Sequence, residues 1–526
     1  MGADADRQDV RSSLFANWDA FVDPEGLPVV YEWSLGTRPG STDVLPWAWV
    51  AGATSASVHG VDLPTGAPLH ANVRATDMGG NRSQVASSDG IVIGEPASTD
   101  EPGASNANPS NTATTPLATG HLAAIDCAGI TWTFDQPVLS GRFVNGDWWV
   151  QGPVSIVAIS PPSTLDGERI RHGSMLNPDP KLLTQGYDNS MFGDSGRYER
   201  ARNLAFGVSQ QQPLQLQPGS SLVSTISQSQ PGLMPQLESC AVLTCLAEPP
   251  PPNSFRPPYC GTDKRCRWRA DQLDLDTLPR IEAVEGAPSL RDLVERFQHT
   301  WLDHLPGWTG AYLHPRANMP DYGRTIADLV GQAGLALLLD HPANAKRPLV
   351  IALVQLGIDV HGIVQNGGRF LADGGSGAGR KFPLLLAASL LHDDELLRSA
   401  TAANLPFAED AQTFLVAETA PQIVNHGHGG YGAEDIGMPE WGNRHADDPS
   451  LDRKPWTADP YRRCCTANAW CGFVLAARAL GLREAWAHPA LFDYVDRYMQ
   501  VEARGSWMRA FSPFAERMWD RYRAKL

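Results

Sequence analysis

The densest run of chemistry-bearing side chains is the passage from residue 407 to 463. Glu409 and Asp410 stand side by side between Phe407 and Phe414. A glycine-rich stretch follows, Asn425-His426-Gly427-His428-Gly429-Gly430-Tyr431-Gly432, whose glycines let a backbone come close to a ligand. Then come Glu434-Asp435, Glu440-Trp441, Asn443-Arg444-His445 and Tyr461-Arg462-Arg463. Four chemistries use such residues. Paired carboxylates, with Glu440 beside the flat face of Trp441, suit general acid and base work on a glycosidic bond. Asn425, His426, Tyr431 and Arg462 suit β-elimination on a uronic acid: Asn or Arg neutralises the carboxylate while His or Tyr removes the proton. His426 and His428 with a nearby carboxylate would suit a divalent metal. A His-x-His in a glycine loop is more often just a polar loop, so no metal ligand and no cofactor is assigned. Cys464 and Cys465, following two arginines, would be acidic thiols and a nucleophile beside His426, although nothing else resembles a cysteine hydrolase.

A second constellation precedes a predicted helix: His314, Arg316 and Tyr322, with Trp308, Tyr312, Asn318, Asp321 and Arg324 around them. The run Gly374–Lys381 lacks the spaced G-x-x-x-x-G-K-[ST] pattern and a preceding strand, so a nucleotide cradle is rejected. Arg380 and Lys381 at that glycine-rich helix entrance still suit an anionic group such as a uronate or a sulfate. The expected catalytic set is therefore Glu409, Asp410, His426, His428, Tyr431, Glu440 and Tyr461. The expected substrate-binding set is Asn425, Trp441, Arg444, Arg462, Arg463, His314, Arg316, Tyr322, Arg380 and Lys381. Structural duties compete for several of these. Arg462 and Arg463 are positioned to pair with Asp447 or Asp448, Glu434 to cap a helix, and Trp441 to fill a core.

The elements that must position these residues change along the chain. With 526 residues, one hydrophobic core is too few, and two to four domains are expected. Residues 11 to 94 read as short strands with turn punctuation every ten or so residues, the pattern of a β-sandwich. Residues 95–117 are dominated by Pro, Ser, Thr, Asn and Gly and form a linker. Residues 118–275 again read mostly as strands, closed by a proline-rich passage near 248–258. There Asn145-Gly146-Asp147 reads as a hairpin turn before Trp148-Trp149, in preference to a displayed pair of sugar-stacking rings. From about residue 289 apolar residues recur at helical spacing, over Leu290–His304, Ile326–Leu339, Pro348–Val364, Pro383–Leu391, Cys465–Leu480 and Pro489–Gln500. The expected fold class is multidomain α+β: a β-sandwich over 1–94, a β-rich domain over 118–275 and an α-helical catalytic domain over 276–526.

Two resemblances follow. Ala16-Asn17-Trp18 before Asp23-Pro24, Tyr31-Glu32-Trp33, and Val73-Arg74-Ala75-Thr76-Asp77 leading to Gly80-Asn81-Arg82-Ser83 resemble the fibronectin type III-like modules of secreted bacterial enzymes. Such modules have a strand before the Trp18 strand. The resemblance therefore implies that Met1 is an internal start, with a signal peptide upstream and an extracellular or periplasmic location. Helices alternating with long aromatic loops after β modules resemble the α/α-toroid carbohydrate-active enzymes, here as an incomplete toroid, with Gly379-Arg380-Lys381-Phe382-Pro383 and the Asn425–Tyr431 loop at inner helix ends. This implies a polysaccharide substrate.

Bulk composition narrows the class. Lys+Arg number 42 against Asp+Glu 58, a net charge of −16, which repels phosphate backbones and excludes a general nucleic-acid binder. No apolar run approaches a membrane span, so no membrane partner is expected. The 16 Trp supply flat apolar faces of the kind sugar rings stack on. The eight cysteines form no C-x-x-C pair, and those from Cys127 to Cys266 are candidates for disulfides in an oxidising compartment. The expectation is a polysaccharide-degrading enzyme, with glycoside hydrolysis favoured over a lyase reaction and a non-catalytic carbohydrate-binding or adhesion protein as the different-class alternative.

Overall fold

The computed structural model describes residues 7–8, 13–21, 29–51, 54–59, 63–66, 68–76, 82–93, 120–190, 196–230, 234–372, 375–404, 406–419, 431–442 and 462–526. Of the expected site residues, Asn425, His426, His428, Arg444 and Tyr461 lie outside the described residues. The chain divides into two compact units, 1–112 and 113–526.

In the first unit the runs read as strands form strands. Val30–Gly36 lies between Leu45–Ala51 and Pro68–Thr76, and Ile91–Ile93 continues the sheet. Ser13–Asn17 pairs with Ser55–His59 in a separate two-stranded sheet. Leu14 and Ala56 from the small sheet share one core with Tyr31, Trp33, Leu69 and Val73 from the large one. Alternate residues of each strand point to that core, which is how a half-buried sheet reads in sequence.

The second unit is built on an eight-stranded sheet in the order Ser174–Leu176, Ser220–Ser227, Leu237–Leu246, Trp148–Gln151, Ile130–Arg142, Val154–Ser160, Leu214–Leu216, with Gly120–Cys127 also paired to Ile130–Arg142. Two of its strands are buried on both faces. Leu222, Ala241, Leu243 and Cys245 point into one core, whereas Val223, Cys240 and Val242 point into a second that continues through the helices as far as Tyr522. Asn145–Asp147 turns the chain between Ile130–Arg142 and Trp148–Gln151, and Trp149 is buried, so this Trp pair serves packing.

The helices are α1 (Leu290–Phe297), α2 (Gly307–Leu313), α3 (Gly323–Leu338), α4 (Ala343–Gln365), α5 (Lys381–Leu391), α6 (Asp394–Ala400), α7 (Ala408–Gln412), α8 (Cys471–Ala479), α9 (Arg483–Trp486), α10 (Pro489–Val501) and α11 (Pro513–Tyr522). α3 and α8 cross at two glycines. A Cβ on Gly472 would stand 2.9 Å from the Gly331 Cα, so the backbones touch there and only glycine fits.

Four expectations need correction. The periodic run from Cys465 is not one helix: residues 462–466 form a π-type turn and 467–469 a 3₁₀ turn before α8 begins. The stretch around Trp308 and Tyr312, read as a loop, contains α2. α4 is long and apolar enough to cross a membrane, with mean hydropathy 1.5, but 78% of that window is buried within the protein, as expected of a core helix. Finally, Cys127, Cys240, Cys245, Cys260 and Cys266 are all free, while Cys464 and Cys465 are joined to each other. The bonded pair holds no thiolate, which removes the cysteine nucleophile.

Candidate functional site

Glu409 and Asp410 lie on the single turn of α7, both buried, in unlike surroundings. Asp410 is paired with the Lys381 ammonium and accepts a bond from the Trp486 indole N–H at 2.8 Å. The same ammonium donates to the Trp486 carbonyl at 2.7 Å. Among the described residues no cation pairs with Glu409. Its Oε2 accepts the Gly379 backbone N–H at 3.3 Å, and its Oε1 is buried without a partner. Burial first, then the Asp410 carboxylate, push its pKa up to about 7. Gly379 is at φ +91°, where a Cβ would stand 2.9 Å from the Ala327 Cα, so glycine is what lets this N–H face the carboxyl.

One turn on, Thr413 Oγ1 donates to the Glu409 carbonyl at 2.8 Å and stands 2.9 Å from His488 Nε2. The strand Thr413–Leu415 pairs with Pro439–Trp441, Thr413 opposite Trp441 and Phe414 opposite Glu440. That ladder leads from the first carboxyl group to a second. Glu440 is fully buried, with Arg462 at 3.2 Å on Oε1 and Arg497 at 3.4 Å on Oε2. The Arg462 guanidinium lies over the Trp441 ring, 5.3 Å from its centroid, and reaches the Trp441 carbonyl at 3.3 Å. Tyr431 and Tyr494 complete the cluster. Burial, with the Glu440 carboxylate adding to it, raises the phenols of both well above the ordinary range. Beside the ladder the Gln412 side chain is buried with neither amide atom partnered.

Lys381 and Arg380, expected to greet an anionic substrate, are spent on internal anions. Arg380 holds Asp303 through two bonds, at 2.7 and 3.2 Å. His314 is internal as well, its Nδ1 2.8 Å from the Pro320 carbonyl and its Nε2 3.4 Å from Asp303. Burial works to raise the Asp303 pKa, but Arg380 and His314 outweigh it and hold the carboxyl below its usual range. Arg463 pairs with Glu502 at 2.9 Å. Tyr322 is half-buried next to the Arg324 guanidinium, and Arg324 donates to the Cys464 carbonyl. Arg316 is exposed and stands outside the cluster. Trp441 is in the core and offers no open face for a sugar ring.

Glu409, Asp410, Lys381, Tyr431, Glu440, Trp441 and Arg462 are therefore brought into two adjoining buried clusters. Sequence reading missed Trp486, Arg497, Tyr494, Gln412, Asp303 and His304, of which Tyr494 and Arg497 lie in the periodic run Pro489–Gln500 and look there like filler. His304 is buried against the Tyr187 and Tyr259 rings with both ring nitrogens unpartnered, and burial lowers its pKa to about 4. Among the described residues no group of three His, Cys, Asp or Glu is placed to hold a metal ion. No protein-family model matches this chain, and no curated protein does.

Proposed function

We propose that this chain hydrolyses glycosidic bonds in a polysaccharide, with Glu409 as the proton donor. The observation that carries the reading is a buried carboxyl with one free oxygen and a pKa near 7, beside a second carboxyl held in an ion pair. A general acid must hold its proton at the working pH and give it up to the leaving oxygen, and an acid poised near neutrality does both. Two neighbouring carboxyls in unlike environments are the usual means of dividing acid from base or nucleophile.

Elimination on a uronic acid is the second reading, resting on Tyr431 and Arg462 beside Glu440. It requires a base ready to take a proton. The Tyr431 phenol, pushed upward, holds its own proton and suits the acid role better. A non-catalytic glycan-binding protein would have no use for a buried, half-satisfied acid, which costs stability. The deciding experiment is digestion of neutral, uronic and sulfated glycans by the purified protein, followed by reducing ends and by the ultraviolet absorbance of an unsaturated uronate. New reducing ends without absorbance support hydrolysis, and new ends with it turn the assignment to elimination. Neither signal on any glycan leaves the enzyme reading without support and favours binding.

A further inference from the structure

Lys381, Arg380, Arg462 and Arg463 are each paired with a carboxylate. Arg324, in the first turn of α3, pairs with none among the described residues. The acid whose field reaches it, Asp328, lies one turn on and accepts from Gln332 at 2.6 Å instead. The guanidinium is nonetheless fixed in place. Its Nη1 donates to the Cys464 carbonyl, and the group lies over Phe511, 4.3 Å from the ring centroid, with Tyr322 at 5.1 Å. Nε is buried with no acceptor, while Nη2 has no acceptor among the described residues and is open to water. Burial pushes the pKa of this group below its ordinary range. A guanidinium held still, with donors unspent and no counter-ion, is a receptor for an anion, and its planar fork suits a carboxylate.

Beside it stands an exposed ring. Trp507 is the one large aromatic side chain exposed among the described residues, at 47%. The guanidinium is 5.9 Å from its centroid, at the limit of a cation–π contact, which leaves the rest of the indole surface uncovered. The segment that carries this ring is pinned. Buried Asn468 donates to the Trp507 carbonyl at 3.2 Å, and its own carbonyl accepts the Phe511 N–H at 2.8 Å. Arg509, between them, is tied to Glu516 and Asp520. A ligand stacked on the indole therefore has no loop to order. We infer that Trp507 and Arg324 form a binding subsite for an acidic sugar, its ring on the indole and its carboxylate on the guanidinium. The choice of a sugar as the ring rests on the glycan reading above, whereas the flat face and the unpaired cation are read from this surface. The subsite adjoins the second buried cluster along the chain: Cys464, which holds Arg324, is two residues from Arg462, which holds Glu440.

Saturation-transfer difference titrations of the whole chain test it, with glucuronate against glucose and galacturonate against galactose. Each pair differs in the carboxylate, and a monosaccharide has no glycosidic bond to cleave, so a failure here leaves the outcome of glycan digestion standing. The expected result is that at least one uronate binds about tenfold or more tightly than its neutral partner, the worth of a charge-assisted bond. Trp507→Ala, at an exposed position where folding is not at stake, should weaken that uronate about fivefold or more. Arg324→Gln should abolish the preference for the acid. Absence of binding by either uronate, equal binding of the neutral sugars, or uronate affinity unchanged in Trp507→Ala would each overturn the assignment.

Discussion

A single proton on Glu409 separates the proposed acid from an ordinary buried carboxyl, and two measurements follow from it. Glu409→Gln keeps the shape and the Gly379 contact but has no acidic proton to give. If Glu409 is the donor, kcat on the glycan found by digestion should fall by about a hundredfold or more. In the wild type, activity should also decline as pH rises through about 7, where Glu409 loses its proton. A variant with unchanged kcat would remove Glu409 from the mechanism. The same proton affects stability. The folded-state values of Glu409 and Asp328, both about 7, lie above their ordinary ones, so their contribution is complete at low pH and is lost as pH rises through neutrality. His304 acts in the opposite direction. Held near 4, below its usual 6.5, it costs stability as pH falls through that window. The two carboxyls outweigh the one histidine, so thermal melts should show stability falling as pH rises from about 5 to 7, and in Glu409→Gln that decline should be shallower. An equal or steeper decline in the variant would show that Glu409 is not protonated in the fold.

The turn Arg462–Thr466 is the element on which the second cluster depends, because it delivers Arg462 to Glu440. Truncating Arg462→Ala leaves a fully buried carboxylate whose one cation among the described residues is Arg497, partly exposed and at 3.4 Å. Breaking a buried pair in this way costs about 3 kcal/mol or more, to be read from urea unfolding, and a loss under about 1 kcal/mol would show that solvent reaches Glu440. The turn also contains the bond between neighbouring Cys464 and Cys465. Thiol titration in denaturant should count six free cysteines before reduction and eight after, and eight from the outset would mean that the pair is not oxidised. The turn also shows the limit of what the sequence makes legible. Strands such as Pro68–Thr76 and helices such as α10 follow from alternation or from helical spacing, since the side-chain pattern is set by burial. The break at 462–470 leaves no mark, because its residues continue the apolar periodicity of α8 while the backbone departs from it. The site was legible in the same uneven way. Of the residues that cluster in sequence, Glu409 and Asp410 stand together in one buried group, and Tyr431, Glu440 and Arg462 in the other. Clustering could not show that Lys381 and Arg380 would be consumed by Asp410 and Asp303, residues 29 and 77 positions away.

At the scale of the molecule, the boundary drawn at residue 276, ahead of the helical periodicity that begins near 289, falls inside a continuous core. Val223, Leu237, Val242, Phe255, Tyr259 and Trp268 precede it and pack in the same cluster as α3, α4, α5 and α8. Arg256 spans the boundary. Fully buried, it holds Asp147 at 2.5 Å on the strand side and Asp359 of α4 at 2.6 Å on the helix side. A fragment starting at 276 would leave Asp359 buried without its arginine, and would turn the apolar faces once covered by those six side chains towards water. Both losses act against folding. A fragment of residues 113–526 keeps every one of these contacts. It should therefore melt in one cooperative transition, at the temperature of the corresponding transition in the whole chain, whereas 276–526 should show no cooperative melt in calorimetry. A cooperative melt from 276–526 would mean that the helices carry a sufficient core by themselves, and that the sheet strands with Arg256 are a cover laid over it.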